Sequence, residues 1–292
     1  MAALNSMLDF IKLSVLTTLN QLLALLGVFF LFGLVLYVLA RFTRNTFVRS
    51  AGIKADVIFT GWLGTPVHEL GHALFCIIFR HRIDDIKLYN PNPEDGSLGY
   101  VNHSFDPGSA YQRIGNFFIS AGPIILGSIV LYAAVYYLLP NKNVILNIIN
   151  LKSTALTSLD GLPAQFEIFY TAGINTLQAL FTISNMQTWT FWLFLYIALC
   201  VSSHMELSPS DLKGLWSGLG TIIIVLFVIN SAALIFGYNI TKYIMTANGY
   251  LGLFSGLFIF AAVLSTVFFL SSFIILSGYS LIRYRRLVNP FG

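Results

Sequence analysis

Charge is what this chain has least of. Only 10% of its 292 residues are Asp, Glu, Lys or Arg, and 57% are hydrophobic. A soluble domain carries about 25% charged residues. Low charge with long apolar runs excludes an ordinary soluble domain and reads as an integral membrane protein. Cysteine is nearly absent as well. Cys76 and Cys200 both lie in apolar runs. Two are too few for a disulfide framework, their spacing matches no zinc motif, and they read as packing residues. The net charge of +4 is spread along the chain rather than gathered, which argues against a nucleic-acid partner. There is no internal repeat and no low-complexity tract. The first residues, "MAALNSMLDFIKLSVLTTLNQ", lack the basic start of a signal peptide, and the apolar run that follows is too long for one. That run reads as a retained span.

What the chain has instead is apolar runs of roughly 20 residues, the length that crosses a bilayer as helix. They cover about 16–40, 57–79, 117–139, 188–206, 216–237 and 249–278. The expected fold is an all-α polytopic membrane protein of about six transmembrane helices. A small β-hairpin at the membrane surface is expected between the second and third. In 80–116, "IKLY" alternates, with Ile86 and Leu88 on one face. "NPNPEDG" is dense in turn formers, and "SLGYVNHSF" can return as a second strand. Residues 140–187 read as one or two amphipathic helices lying on the bilayer, or as a poor seventh span. A short turn over Ser208–Gly214 joins the fourth and fifth spans. The chain divides into an N-terminal helix with a basic linker (1–56), a central unit (57–215) and a C-terminal helix pair with a basic tail (216–292).

The stretch "GTPVHELGHALFCIIF", Gly64 to Phe79, places His68, Glu69 and His72 inside an apolar run. A charge at the centre of a spanning helix costs about 2.5–3.5 kcal/mol on insertion scales, so such groups mark function. On a helix, residues i and i+4 share a face, so His68 and His72 point the same way. Two imidazoles at that spacing can ligate one Zn²⁺. Glu69 is rotated by about 100° from His68, beside the metal without being a ligand. This is the H-E-x-x-H arrangement of zinc hydrolases. Gly71 leaves one wall of the helix bare for another backbone or a substrate. Thr65 and Pro66 read as an N-cap and a first-turn residue.

A catalytic zinc needs a third protein ligand and an open position. His81, His103, His204, Asp160, Glu206 and Asp211 are the candidates. HELGH in a span, a hairpin-like polar stretch, then "ISAGP" (Ile119 to Pro123) opening the next span: this order resembles the site-2 protease family of intramembrane metalloproteases. The resemblance covers roughly 57–215. That family's second motif begins Ala-Gly-Pro and usually ends in Asn, where this chain has Leu126. Its third motif, often Leu-Asp-Gly, supplies an aspartate as the last zinc ligand. Two stretches compete for that role, Leu159-Asp160-Gly161 and "LSPSDLKG" with Asp211. Following the spans in order puts Asp211, not Asp160, on the face nearest the HELGH end. Asp211 is favoured, with Asp160, His204 and Glu206 behind it.

The resemblance implies a Zn²⁺-dependent endopeptidase that cuts a peptide bond in or near the transmembrane segment of another membrane protein. The metal would lower the pKa of its bound water and polarise the scissile carbonyl. Glu69 would move the proton to the leaving amine. The hairpin edge around Leu98, Val101 and Asn102 would hold the unwound substrate by β-augmentation. It also implies a bacterial cytoplasmic membrane with the active site near its inner face. Basic residues alone do not orient the chain. With 80–116 inside, the tail is inside too, and the 41–56 linker and Lys242 are outside. Two other readings remain, a transporter or metal carrier and an inactive scaffold of the same fold. The oligomeric state is not legible.

Overall fold

The computed structural model describes residues 2–52, 54, 57–91, 98–156 and 162–290. It is mostly helix with one two-stranded sheet. Five stretches among the described residues are long and apolar enough to cross a membrane: Met7–Gly27, Phe29–Ser50, Ala110–Leu138, Pro209–Ile235 and Phe254–Tyr284. This is the build of an all-α multi-pass membrane protein.

The first two stretches belong to one helix, α1 (Ala2–Ser50). Its 49 residues extend about 73 Å at 1.5 Å per residue, well beyond a bilayer core of about 30 Å. The expected basic linker is therefore helical as far as Ser50. Residues 41–50 hold no Gly or Pro to stop the helix, and Gly52, with φ of +85°, follows its end. One wide π-type turn (Val57–Gly61) leads into α2 (Trp62–Ile78), the HELGH helix. Thr65 does not cap α2, and Pro66 lies inside it rather than at its start. With 17 residues, α2 is short for a crossing of its own.

Strands β1 (Arg82–Lys87) and β2 (Tyr100–Ser104) then form an antiparallel hairpin, paired from Arg82↔Ser104 to Lys87↔Tyr100 with an irregularity between Ile83 and Asp85. The hairpin folds back along α2. At its base His81 meets His103, and at its far end Tyr89 Oη donates to the Val57 carbonyl at 3.1 Å. The central helix α3 (Ala110–Leu138) follows, with Ser109 as N-cap. Residues 140–187 hold helices α4 (Lys142–Leu156) and α5 (Leu162–Leu180) and the one-turn α6 (Ile183–Met186). The fourth expected span shrinks to α7 (Trp189–Ser202), 14 residues long. Helix α8 (Pro209–Ile235) starts earlier than its hydropathy suggested, and α9 (Thr241–Tyr284) closes the fold.

The segment expected as a turn, Ser208–Gly214, is the start of α8. Ser208 is the N-cap and Pro209 sits at the first helical position, where a missing N–H costs nothing. The boundary placed at 215/216 consequently falls inside α8. The apolar core is continuous across it, from Phe29, Phe32 and Leu36 of α1 through Ile124 and Leu131 of α3 to Leu257–Phe260 of α9.

Helices α1 and α9 run side by side in the same direction, with Phe29 against Phe258 and Phe42 against Phe269. Beyond α9 the tail returns to α1. Asn45 Nδ2 donates to the Pro290 carbonyl at 3.2 Å, and an Arg49 guanidinium nitrogen to the Asn289 carbonyl at 3.1 Å. The basic end of α1 and the basic tail are thus at one end of the molecule, and the sequence-level division that set them on opposite sides does not hold. Within the helices, Gln21 and Asn230 exchange two hydrogen bonds, of 2.8 and 3.1 Å, and bind Thr18 and Thr241. Asn230 of α8 thus braces its helix against α1. Its neighbour Ser231 has no such bond for its hydroxyl among the described residues.

Candidate metal centre

The site is built where α2, α3 and the start of α8 meet. Helices α2 and α3 cross in backbone contact. A methyl group on Gly71 would lie 2.6 Å from the backbone carbon of Gly122, and one on Gly122 would strike the Gly71 backbone in return. The bare wall noted on the HELGH helix is therefore covered by the Ala121-Gly122-Pro123 segment. Glycine on both sides lets α3 come close enough for the Ile119 carbonyl to reach His72 Nδ1, 2.8 Å away.

His68 has an equivalent partner. Its Nδ1 lies 2.6 Å from the carbonyl oxygen of His204. A carbonyl can only accept, so both Nδ1 atoms carry hydrogen. In the neutral rings both Nε2 atoms then hold bare lone pairs. Those two atoms are 3.2 Å apart. Asp211 joins them, with Oδ1 3.3 Å from His72 Nε2 and Oδ2 3.8 Å from His68 Nε2. The three side chains are only 10–14% exposed.

Asp211 is oriented by a capping box. Its Oδ2 accepts from the Ser208 backbone N–H at 2.7 Å, and its own N–H donates to Ser208 Oγ at 3.2 Å. An acid at this helix position is ordinarily solvated, but this one faces the two imidazoles.

Three lone-pair donors converge on one point with no hydrogen among them in the neutral state. Such an arrangement repels itself unless a proton or a cation sits at its centre. Donor atoms around a tetrahedral metal at about 2.1 Å lie about 3.4 Å apart. The 3.2 and 3.3 Å separations fit that spacing, and all three donors can be chosen within 4.8 Å of one another. The outward Nδ1–H···O=C bonds are those that metal-ligating histidines use to fix their tautomer. His68, His72 and Asp211 could therefore hold one metal ion. No family model, no curated protein and no solved structure matches this chain.

Glu69 is buried beside the triad and has no hydrogen-bond partner among the described residues. Gly99 permits this closeness, because a methyl group there would lie 2.8 Å from Glu69 Cγ. A cleft of about 310 Å³ opens in front of His68, Glu69, His72 and Asp211, with Val101 and Asn102 of β2 on one wall. Leu98 lies away from this cleft, on a smaller cavity of about 170 Å³.

The other candidates fall elsewhere. His204 serves through its backbone carbonyl while its ring turns to the Cys200 carbonyl. Glu206 pairs with Arg44 at 3.2 Å. His81 and His103 pair with each other, Nδ1 to Nδ1 at 3.1 Å. Asp160 lies outside the described residues. Asn116 and Ser120 of α3 also line the cleft. Sequence reasoning passed over both. The signal available was position alone, Ser120 adjoining Ala121-Gly122-Pro123 and Asn116 one helical turn before it.

Proposed function

We propose that the chain is a zinc-dependent intramembrane endopeptidase of the site-2 protease type. The observation that carries this reading is the convergence of His68 Nε2, His72 Nε2 and an Asp211 carboxylate oxygen, each held by a backbone group, beside Glu69, which has no hydrogen-bond partner among the described residues. His68, His72 and Asp211 would hold the Zn²⁺. When bound, the metal would supply Lewis-acid activation of a water molecule and of the scissile carbonyl.

The remaining work falls to the protein. Glu69 takes a proton from the attacking water, whose oxygen bonds to the acyl carbon. It returns that proton to the amine nitrogen as the C–N bond breaks. The carbonyls of Ile119 and His204 keep the imidazoles in the tautomer that leaves Nε2 free. Ser208 keeps Asp211 turned inward. The β2 wall at Val101 and Asn102 can take an extended segment of a membrane-protein substrate as a further strand. A substrate helix must unwind to lie there, because its own hydrogen bonds otherwise hide the carbonyls.

Glu69→Gln tests the reading. The variant should keep its metal and lose cleavage of a transmembrane reporter. A transporter or a scaffold would lose little by this exchange. Cleavage that persists in Glu69→Gln would overturn the proposal.

A further inference from the structure

The basic end of the molecule has no role in the proposal so far. Four arginines meet there. Arg49 lies in the last turn of α1, Arg283 in the last turn of α9, Arg285 caps that helix and Arg286 follows it. The tail that carries three of them is strapped down. Arg285 takes the left-handed conformation, with φ of 54°, which a residue with a side chain keeps only where its surroundings hold it. Ser280 Oγ donates to the Arg286 carbonyl at 2.9 Å, and Asn45 and Arg49 bind the carbonyls of Pro290 and Asn289. Val288 and Pro290 are buried, whereas all four arginines are exposed. No carboxylate pairs with any of the four among the described residues. Like charges gathered in this way repel one another until an anion comes among them. Tyr284 ends the apolar stretch Phe254–Tyr284, and its ring meets that of Tyr279 edge-on with centroids 6.2 Å apart. Both tyrosines are about half exposed. Such residues mark the level where hydrocarbon gives way to headgroups. The arginines of the tail stand at that level, where lipid phosphates lie.

We propose that the strapped tail and the end of α1 form one binding surface for the headgroups of anionic phospholipids, made by Arg49, Arg283, Arg285 and Arg286. A guanidinium presents a planar fork of donors that matches phosphate oxygens. A zwitterionic lipid carries the same phosphate, but its ammonium cancels the charge that the arginines attract. The surface therefore selects net charge. Each basic residue near an anionic membrane surface is worth about fivefold in affinity. The strap holds the four together, so the surface is part of the fold and not a loose basic end. The inference goes beyond the hydrolase reading and stands without it.

The test is native mass spectrometry of the full chain released from detergent. The chain is titrated with phosphatidylglycerol or with phosphatidylcholine of the same acyl chains. The wild type should bind phosphatidylglycerol more tightly. Replacing Arg283, Arg285 and Arg286 together by glutamine should weaken that binding on the order of 100-fold. Binding of phosphatidylcholine, which reports an intact fold, should stay as it was. Lys12→Gln with Lys242→Gln, toward the other ends of the same two helices, should leave the preference in place. Asn45→Ala with Val288→Ala keeps every charge but loosens the strap, and should weaken phosphatidylglycerol binding several-fold. A wild type that binds the two lipids alike would overturn the proposal, as would a triple variant that keeps wild-type affinity. Unchanged affinity in the strap variant would reduce the surface to a loose basic tail and overturn it as a built site. Displacement of phosphatidylglycerol by an equal concentration of glycerol 3-phosphate would mean a site for a free phosphate, not for a lipid.

Discussion

Replacing Gly71 by alanine places a methyl group in the crossing of α2 and α3. That methyl would lie 2.6 Å from the backbone carbon of Gly122, about 0.8 Å inside the 3.4 Å at which ordinary contact begins. Backbone cannot rotate away as a side chain can, so the helices must separate by about that amount. The bond from His72 Nδ1 to the Ile119 carbonyl, now 2.8 Å, would stretch to about 3.6 Å and cease to be one. Overpacking of this kind costs about 1–3 kcal/mol. Loss of a bond that orients a ligand lowers metal affinity about 10–100-fold. Gly220→Ala is the control, because nothing lies within 4 Å of a methyl group there. Thermal melts in detergent and a competitive zinc titration would read both effects. A Gly71→Ala protein that melts and binds metal like Gly220→Ala would refute the crossing as the support of His72.

The hairpin's anchor should be acid-sensitive. His81 Nε2 donates to the Gln112 carbonyl at 2.8 Å, so His103 Nδ1 must donate to His81 Nδ1 in the neutral pair. Burial lowers the pKa of both rings. The Gln112 bond opposes this at His81. At His103 the neighbouring His81 adds to the lowering and Asp84 opposes it. The unfolded chain therefore takes up protons first, so the anchor holds above the ordinary value of 6.5 and weakens as pH falls below it. The protection factors of the β2 amides, which correct for the slower intrinsic exchange in acid, should be lower at about pH 5 than at about pH 7.5. His103→Leu should weaken that response, leaving the part due to His81, and an unchanged response would refute the pairing. Proline at Val101 or Asn102 should abolish cleavage while the metal stays bound. Loss of metal in these variants would mean that β2 supports the centre rather than receives a substrate.

The placing of His68 and His72 on one helix face was the most legible part of the candidate site. An i, i+4 pair of histidines forces two rings onto one helix face whatever the rest of the fold does. The hairpin was legible because alternation and turn residues are local signals. Following the spans in order puts Asp211 nearest the HELGH end, and its Oδ1 lies 3.3 Å from His72 Nε2, although two of the expected spans are too short to be counted as crossings. Ser208 and Pro209 start a helix there rather than break one. The length of α1 was not legible, because hydropathy ends where apolar residues end and a helix does not. Nor could the sequence say that the hairpin returns along α2, since Tyr89 reaches Val57 through a backbone carbonyl. The groups that orient both histidines are likewise carbonyls, of Ile119 and His204, and any residue type could present them. The same limit hid the tail's return to α1, which is made by the carbonyls of Asn289 and Pro290.

The metal content of the purified chain tests the account most directly. Asp211→Asn is the decisive variant, because an amide oxygen can still accept from the Ser208 N–H and keep the helix cap while the charge at the centre is lost. Elemental analysis should find one zinc per chain in the wild type and in Asp160→Asn, and a marked loss in Asp211→Asn. A wild type that carries no zinc after purification with zinc supplied, or an Asp211→Asn protein that retains it in full, would contradict the account.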